Sequence, residues 1–163
     1  MPRSEIFTRI RSALVDVRER DPERDVPVAW EFGRPTAVDD VVGLFIARVI
    51  DYKATVVRAA DLTEVGRLVA DALAAHSATS VVVPAGVPAD WHALAEKAGV
   101  EVRRDDPPLS HAVLNDTSAV LTAAAVGMAE TGTIGLDHRD DQGRRALSLV
   151  PDMHVCVIRT DQL

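Results

Sequence analysis

At 163 residues the chain is the size of one ordinary domain, long enough to bury a core without disulfides or a structural metal. Nearly half of it is apolar, dominated by Ala, Val and Leu, which excludes a disordered composition, and a net charge of -7 with one Tyr and three Phe excludes the clustered cations and stacking platforms of a nucleic-acid binder. No apolar run approaches the roughly 20 residues that span a bilayer, and Arg9 and Arg11 interrupt the N-terminal apolar stretch after Ile6 and Phe7, so neither a membrane segment nor a signal peptide is expected and the cytoplasm is the expected location.

Ser4 precedes Ile6, Ile10, Leu14 and Val17, spaced by four and three, which predicts a capped amphipathic helix over 5–17 whose apolar face needs a cover. Residues 20–33 are charged and proline-punctuated (Asp21-Pro22, Val26-Pro27) and predict an extended connector anchored by Trp30 and Phe32. Residues 1–33 are thus expected to precede an α/β domain over 34–163.

From Thr36 helical and strand-like periods alternate. Helices are predicted over 38–51, 62–76 and 89–98, and strands over 54–58, 80–84 and 100–103, a βαβ series that implies an open, mostly parallel sheet with flanking helices. Asp61 and Glu64 form a capping-box-like start, and Val81-Val82-Val83 reads as a strand covered on both faces. Asp105-Asp106-Pro107-Pro108 breaks the series. The chain is then strand-like over 119–137, looped over 137–143, helical over 144–150 up to Pro151, and extended over 154–159.

The chemistry concentrates in Ala129-Glu130-Thr131-Gly132-Thr133-Ile134 and in Gly143-Arg144-Arg145. Glu130 could be a base, an acyl-accepting nucleophile, an anchor for a ligand hydroxyl, or a cap for its own turn. Thr131, Gly132 and Thr133 could cradle an anion with successive N–H groups, or form a tight turn in which Gly132 supplies φ > 0. Arg144 and Arg145 could clamp a carboxylate or phosphate, or neutralise Asp140 and Asp141; Arg144, directly after Gly143, is the better placed. Asp137, His138, Asp140 and Asp141 share a loop with arginines and are read as a solvated hairpin tip, so no metal site is expected. His154 and Cys156 alternate on one face of the last strand as a partly buried imidazole and a buried thiol; His76, His92 and His111 show no partner pattern. Cys156 is the only cysteine, so the chain has no internal disulfide, thiolate zinc site or iron–sulfur cluster of its own. No nucleophile elbow, P-loop or dinucleotide fingerprint occurs, and no cofactor is expected.

The Ala-Glu-Thr-Gly-Thr-Ile run, followed in order by Gly143-Arg144-Arg145-Ala146-Leu147-Ser148-Leu149-Val150-Pro151 and Asp152-Met153-His154-Val155-Cys156-Val157-Ile158, resembles the LUD-domain family in its lactate-utilization protein C type, as does Ile10-Arg11-Ser12-Ala13-Leu14. The resemblance implies a fold like that of sugar-phosphate isomerases and CoA-transferases, and a role in oxidising L-lactate to pyruvate alongside iron–sulfur partner proteins. The chain departs from the family where it carries Val120-Leu121-Thr122-Ala123 in place of a glycine-containing approach, and where it stops after the last strand, which implies a missing C-terminal portion. The resulting expectation is a non-redox component of a lactate oxidation system that binds a small anion through Glu130, Thr131, Gly132, Thr133, Arg144 and Arg145. Two alternatives stand beside it: an autonomous CoA-transferase-like or sugar-phosphate isomerase-like enzyme using Glu130, and a non-catalytic sensing or assembly module.

Overall fold

The computed structural model describes residues 3–18, 21 and 37–163, and the chain divides into two units, 1–37 and 38–163. In the first, helix α1 (Arg3–Ala13) starts one residue before Ser4, whose carbonyl accepts the Thr8 hydroxyl at 3.0 Å instead of the side chain acting as a cap. Ile6, Phe7 and Ile10 are exposed on it. Most of the expected connector, with Trp30 and Phe32, lies outside the described residues.

The second unit carries helices α2 (Val41–Asp51) and α3 (Val65–Ala75), strand β1 (Ser80–Val83), a 3₁₀ turn (Ala89–Trp91) leading into α4 (Ala93–Lys97), and β2 (Glu101–Arg104). It continues with α5 (His111–Asn115), β3 (Ala119–Ala123), the hairpin β4 (Val126–Met128) and β5 (Thr133–Gly135), α6 (Arg145–Leu149), β6 (Met153–Val157) and a 3₁₀ turn (Thr160–Gln162). Asp40 caps α2 by accepting the Gly43 N–H at 2.7 Å. At α3 the acidic pair works in two steps: Asp61 accepts the Thr63 N–H at 2.8 Å, and Glu64 reaches back to the Ala60 N–H at 2.9 Å. The strand expected over 54–58 does not form. Its Val56-Val57 pair has β propensity, but Val57 is 61% exposed and no strand among the described residues lies beside the segment, so nothing tertiary holds it extended.

Four parallel strands form the sheet in the order β2-β1-β3-β6. Val81, Val82 and Val83 are wholly buried, which is why the run is apolar on both faces. One face packs Val81, Val83, Ala119 and Leu121 against Val65, Val69 and Leu73 of α3, with Trp91 and Ala95. The other packs Val82 and Val120 against Leu114 of α5 and Leu147 of α6. The last strand starts at Met153, one residue earlier than the pattern indicates, and pairs with β3 along its whole length. Among the described residues no helix is long and apolar enough to cross a membrane.

His92, 3% exposed, sits where the 3₁₀ turn meets α4. Its Nε2 accepts an N–H of Arg104 at 3.0 Å, since arginine cannot accept, so the ring proton is on Nδ1. That Nδ1 is buried without a hydrogen-bond partner among the described residues, and the Glu96 carboxylate is 3.9 Å away. Desolvation first, and the Arg104 charge second, push the His92 pKa below the usual imidazole value, with Glu96 opposing. The folded state therefore resists a proton that the unfolded chain takes up at about pH 6.5. Stability is expected to fall as pH drops from about 6.5 towards the folded-state value, and denaturant midpoints measured from about pH 7.5 down to about 5.5 should fall less steeply in His92→Gln. An identical slope in the variant would assign the acid sensitivity elsewhere.

Candidate functional site

In a parallel sheet the ligand crevice opens at the C-terminal ends of the strands, where the strand order reverses. Here the reversal lies between β1 and β3, because β2 lies on one side of β1 and β3 and β6 on the other. The loop 137–143 roofs that crevice: the Gly86 N–H donates to Asp140 O at 2.7 Å and the Ala123 N–H to Asp141 O at 3.0 Å. Gln142, 2% exposed, pins the loop from inside by accepting the N–H groups of Asp137 (2.6 Å) and His138 (3.1 Å). Asp137 pairs with Arg139 at 2.6 Å, and His138 Nδ1 lies 3.2 Å from Gly143 O. The segment read as a solvated tip is thus a fitted cover at its base, and Asp141 Oδ1 is buried in it without a hydrogen-bond partner among the described residues.

The Glu130 turn joins β4 to β5, the hairpin that follows β3. Gly132 has φ +65°, and a Cβ there would come within 2.8 Å of Arg48 C and Cβ, so the turn is seated directly on the α2 backbone. A Cβ on Gly127 would meet Leu163, Ile158 and Phe45, which places the hairpin between α2 and the chain that follows β6. The sequence offers Gly132 a conformational reason and a ligand-related one; the contact with α2 is a third, which no local pattern signals. Glu130 is exposed and forms no hydrogen bond or ion pair with a described residue, so it does not cap its own turn. The hydroxyls of Thr131 and Thr133 bond to each other at 2.8 Å.

The Arg144 Nε–H donates to Asp105 Oδ2 at 2.7 Å, and its Nη2 donates to Asp105 Oδ1 at 3.0 Å and to Leu109 O at 2.6 Å. The carboxylate it clamps is therefore one of the chain's own, just past the end of β2, and neither Asp140 nor Asp141. Desolvation would raise the Asp105 pKa, but the Arg144 hydrogen bonds, the Leu109 N–H and the Arg144 charge together outweigh it and hold the carboxyl below its usual value. Arg145, the first residue of α6, is exposed, and its guanidinium forms no hydrogen bond with a described residue. Among the described residues no hydrogen bond or ion pair joins the Glu130 turn to either arginine. Asp105 and Leu109 are not legible in the sequence because they lie 39 and 35 residues from Arg144 and no spacing rule links them, whereas Gln142 bonds within its own loop and is marked by no motif.

On β3 and β6, Thr122 bridges the two residues that alternation places on one face: its Oγ1 is 2.8 Å from His154 Nε2, and it donates to Cys156 Sγ at 3.7 Å. Burial pushes the Cys156 thiol up, the Thr122 bond opposing, and desolvation pulls His154 down. Both side chains are less buried than the pattern suggests, Cys156 partly buried and His154 exposed, on the edge strand β6.

The sequence matches the LUD domain family over residues 42–163. The chain belongs to the LUD-domain family. The matched region contains the whole sheet, the roofing loop and every candidate site residue. The chain is 46% identical over 162 residues to a Deinococcus radiodurans protein named Lactate utilization protein C, an alignment covering 98% of this chain and 69% of that protein. It is also similar to the crystal structure of a DUF162 family protein from Deinococcus radiodurans at 1.70 Å resolution, with a TM-score of 0.70 and 48% identity over 78% of this chain and 74% of the other. The four-stranded parallel sheet with flanking helices is thus the architecture of this LUD-domain chain.

Proposed function

We propose that this LUD-domain chain works in lactate utilization, as a non-redox component of a system that oxidises L-lactate to pyruvate with iron–sulfur partner proteins. The observation that carries the reading is 46% identity, across 98% of the chain, to a protein named for lactate utilization. Electron transfer from an α-hydroxy acid needs an acceptor, and a sequence with one cysteine and no dinucleotide fingerprint leaves that acceptor to the partners. The chain's part is to bind a small anion at the C-terminal edge of the sheet. Arg144 and Arg145 supply its positive charge, and Glu130 with Thr131, Gly132 and Thr133 completes it. The exposed carboxylate of Glu130 also supports a second reading, in which it serves as the reacting group of a CoA-transferase-like or sugar-phosphate isomerase-like step.

The test is a visible spectrum and a lactate-dependent dye-reduction assay on the pure chain, repeated with cluster-bearing partners added. The expected result is a colourless protein with no turnover alone, and activity on reconstitution that drops at least about tenfold in Glu130→Gln if the carboxylate takes part in proton transfer. A stoichiometric flavin, turnover without partners, or reconstituted activity indifferent to this chain would overturn the reading.

A further inference from the structure

The Asp105–Arg144 pair has an asymmetry that bears on which anion the site takes. A guanidinium carries five N–H donors. Three of them, on Nε and Nη2, are committed to Asp105 and the Leu109 carbonyl, while the two on Nη1 have no hydrogen-bond partner among the described residues. The Asp105 side chain is 10% exposed and that of Arg144 34% exposed, so the pair is closed on its carboxylate side and accessible on the other. Asp105 is itself held, accepting the Leu109 N–H at 2.9 Å, so the guanidinium plane is fixed through both Asp105 and Leu109.

We propose that Asp105 is the positioning and specificity-determining residue of the anion site: it orients Arg144 so that Nη1 faces the ligand, and its charge favours a singly charged carboxylate as that ligand. This rests on the reading of Arg144 as an anion ligand. The fixed edge spares Arg144 much of the rotamer entropy that a free arginine loses on binding. The charge follows from the neighbours. Arg144 and Arg145 bring two positive charges, and Asp105 and the exposed Asp106 two negative ones. With these four charges summing to zero, a monocarboxylate leaves the site one negative charge in excess and a phosphate dianion two, so both can gain the Nη1 contact but repulsion from Asp105 weighs less on the carboxylate.

The experiment titrates the full chain with L-lactate and with inorganic phosphate, by heteronuclear NMR at low temperature where circular dichroism confirms the fold, in wild type, Asp105→Asn, Asp105→Glu and Arg144→Lys. The asparagine substitution keeps the size of the side chain and one acceptor oxygen but removes the charge. The expected result for Asp105→Asn is lactate affinity down about five- to tenfold and the phosphate-to-lactate affinity ratio up at least about tenfold, with Asp105→Glu restoring the wild-type ratio. A merely structural Asp105 would lower stability and weaken both anions alike, leaving the ratio fixed; that outcome overturns the inference and leaves the Arg144 reading intact. Lactate binding equal in wild type and Arg144→Lys, or absent from wild type, would instead overturn Arg144 as a ligand and this inference with it.

Discussion

Leu121→Ala is expected to destabilise the fold by about 3–5 kcal/mol, the range for a leucine truncated where the surroundings cannot collapse. Leu121 is fully buried at the centre of β3, a strand paired on both sides, and its side chain belongs to the layer formed by Val81, Val83, Val69 and Leu73. Strands fixed by two ladders cannot move inward to fill the space, so the cavity remains. Leu149→Ala is the control: Leu149 is 66% exposed, and its loss should stay within about 0.5 kcal/mol. Urea unfolding at constant m-value measures both. Equal effects of the two substitutions would mean that the β3 layer is not the core.

Gly132→Ala is expected to cost about 2–4 kcal/mol, from two separable sources. One is the left-handed backbone, φ +65°, which an L-residue adopts at about 1–2 kcal/mol. The other is the contact in which a new Cβ would press on the α2 backbone at Arg48 and Val49, within 3.0 Å. Gly99 isolates the first source, since it has φ +95° but meets nothing within 4 Å. Gly99→Ala should therefore show only the conformational cost, and the excess in Gly132→Ala measures how firmly α2 seats the turn that carries Glu130. If the two substitutions cost the same, α2 does not fix that turn, and the hairpin's position needs another explanation.

Periodicity locates most helices and the strands β1, β2 and β6 to within a few residues, because each buries a stripe or face whose spacing is written locally, but the strand-like run read over 119–137 divides into β3, β4 and β5. The pattern fails at 54–58, where β propensity has no neighbouring strand to pair with, and it stretches α1 to Val17 although the helix stops at Ala13. The linked motifs around Glu130 and Arg144 are enough to place the chain in its family, since their order and spacing are properties of the sequence itself. Their mutual geometry is not. Local pattern carries the α/β class, the buried Val81-Val82-Val83 strand and the polar turn with its glycine. Three contacts emerge only on folding: Arg144 clamps Asp105, the loop at Asp140 and Asp141 takes the Gly86 and Ala123 amides, and Gly132 rests on α2. Each joins residues whose partner choice depends on strand order and loop path, and no local energy term in the chain encodes which distant carboxylate, amide or helix will arrive beside them.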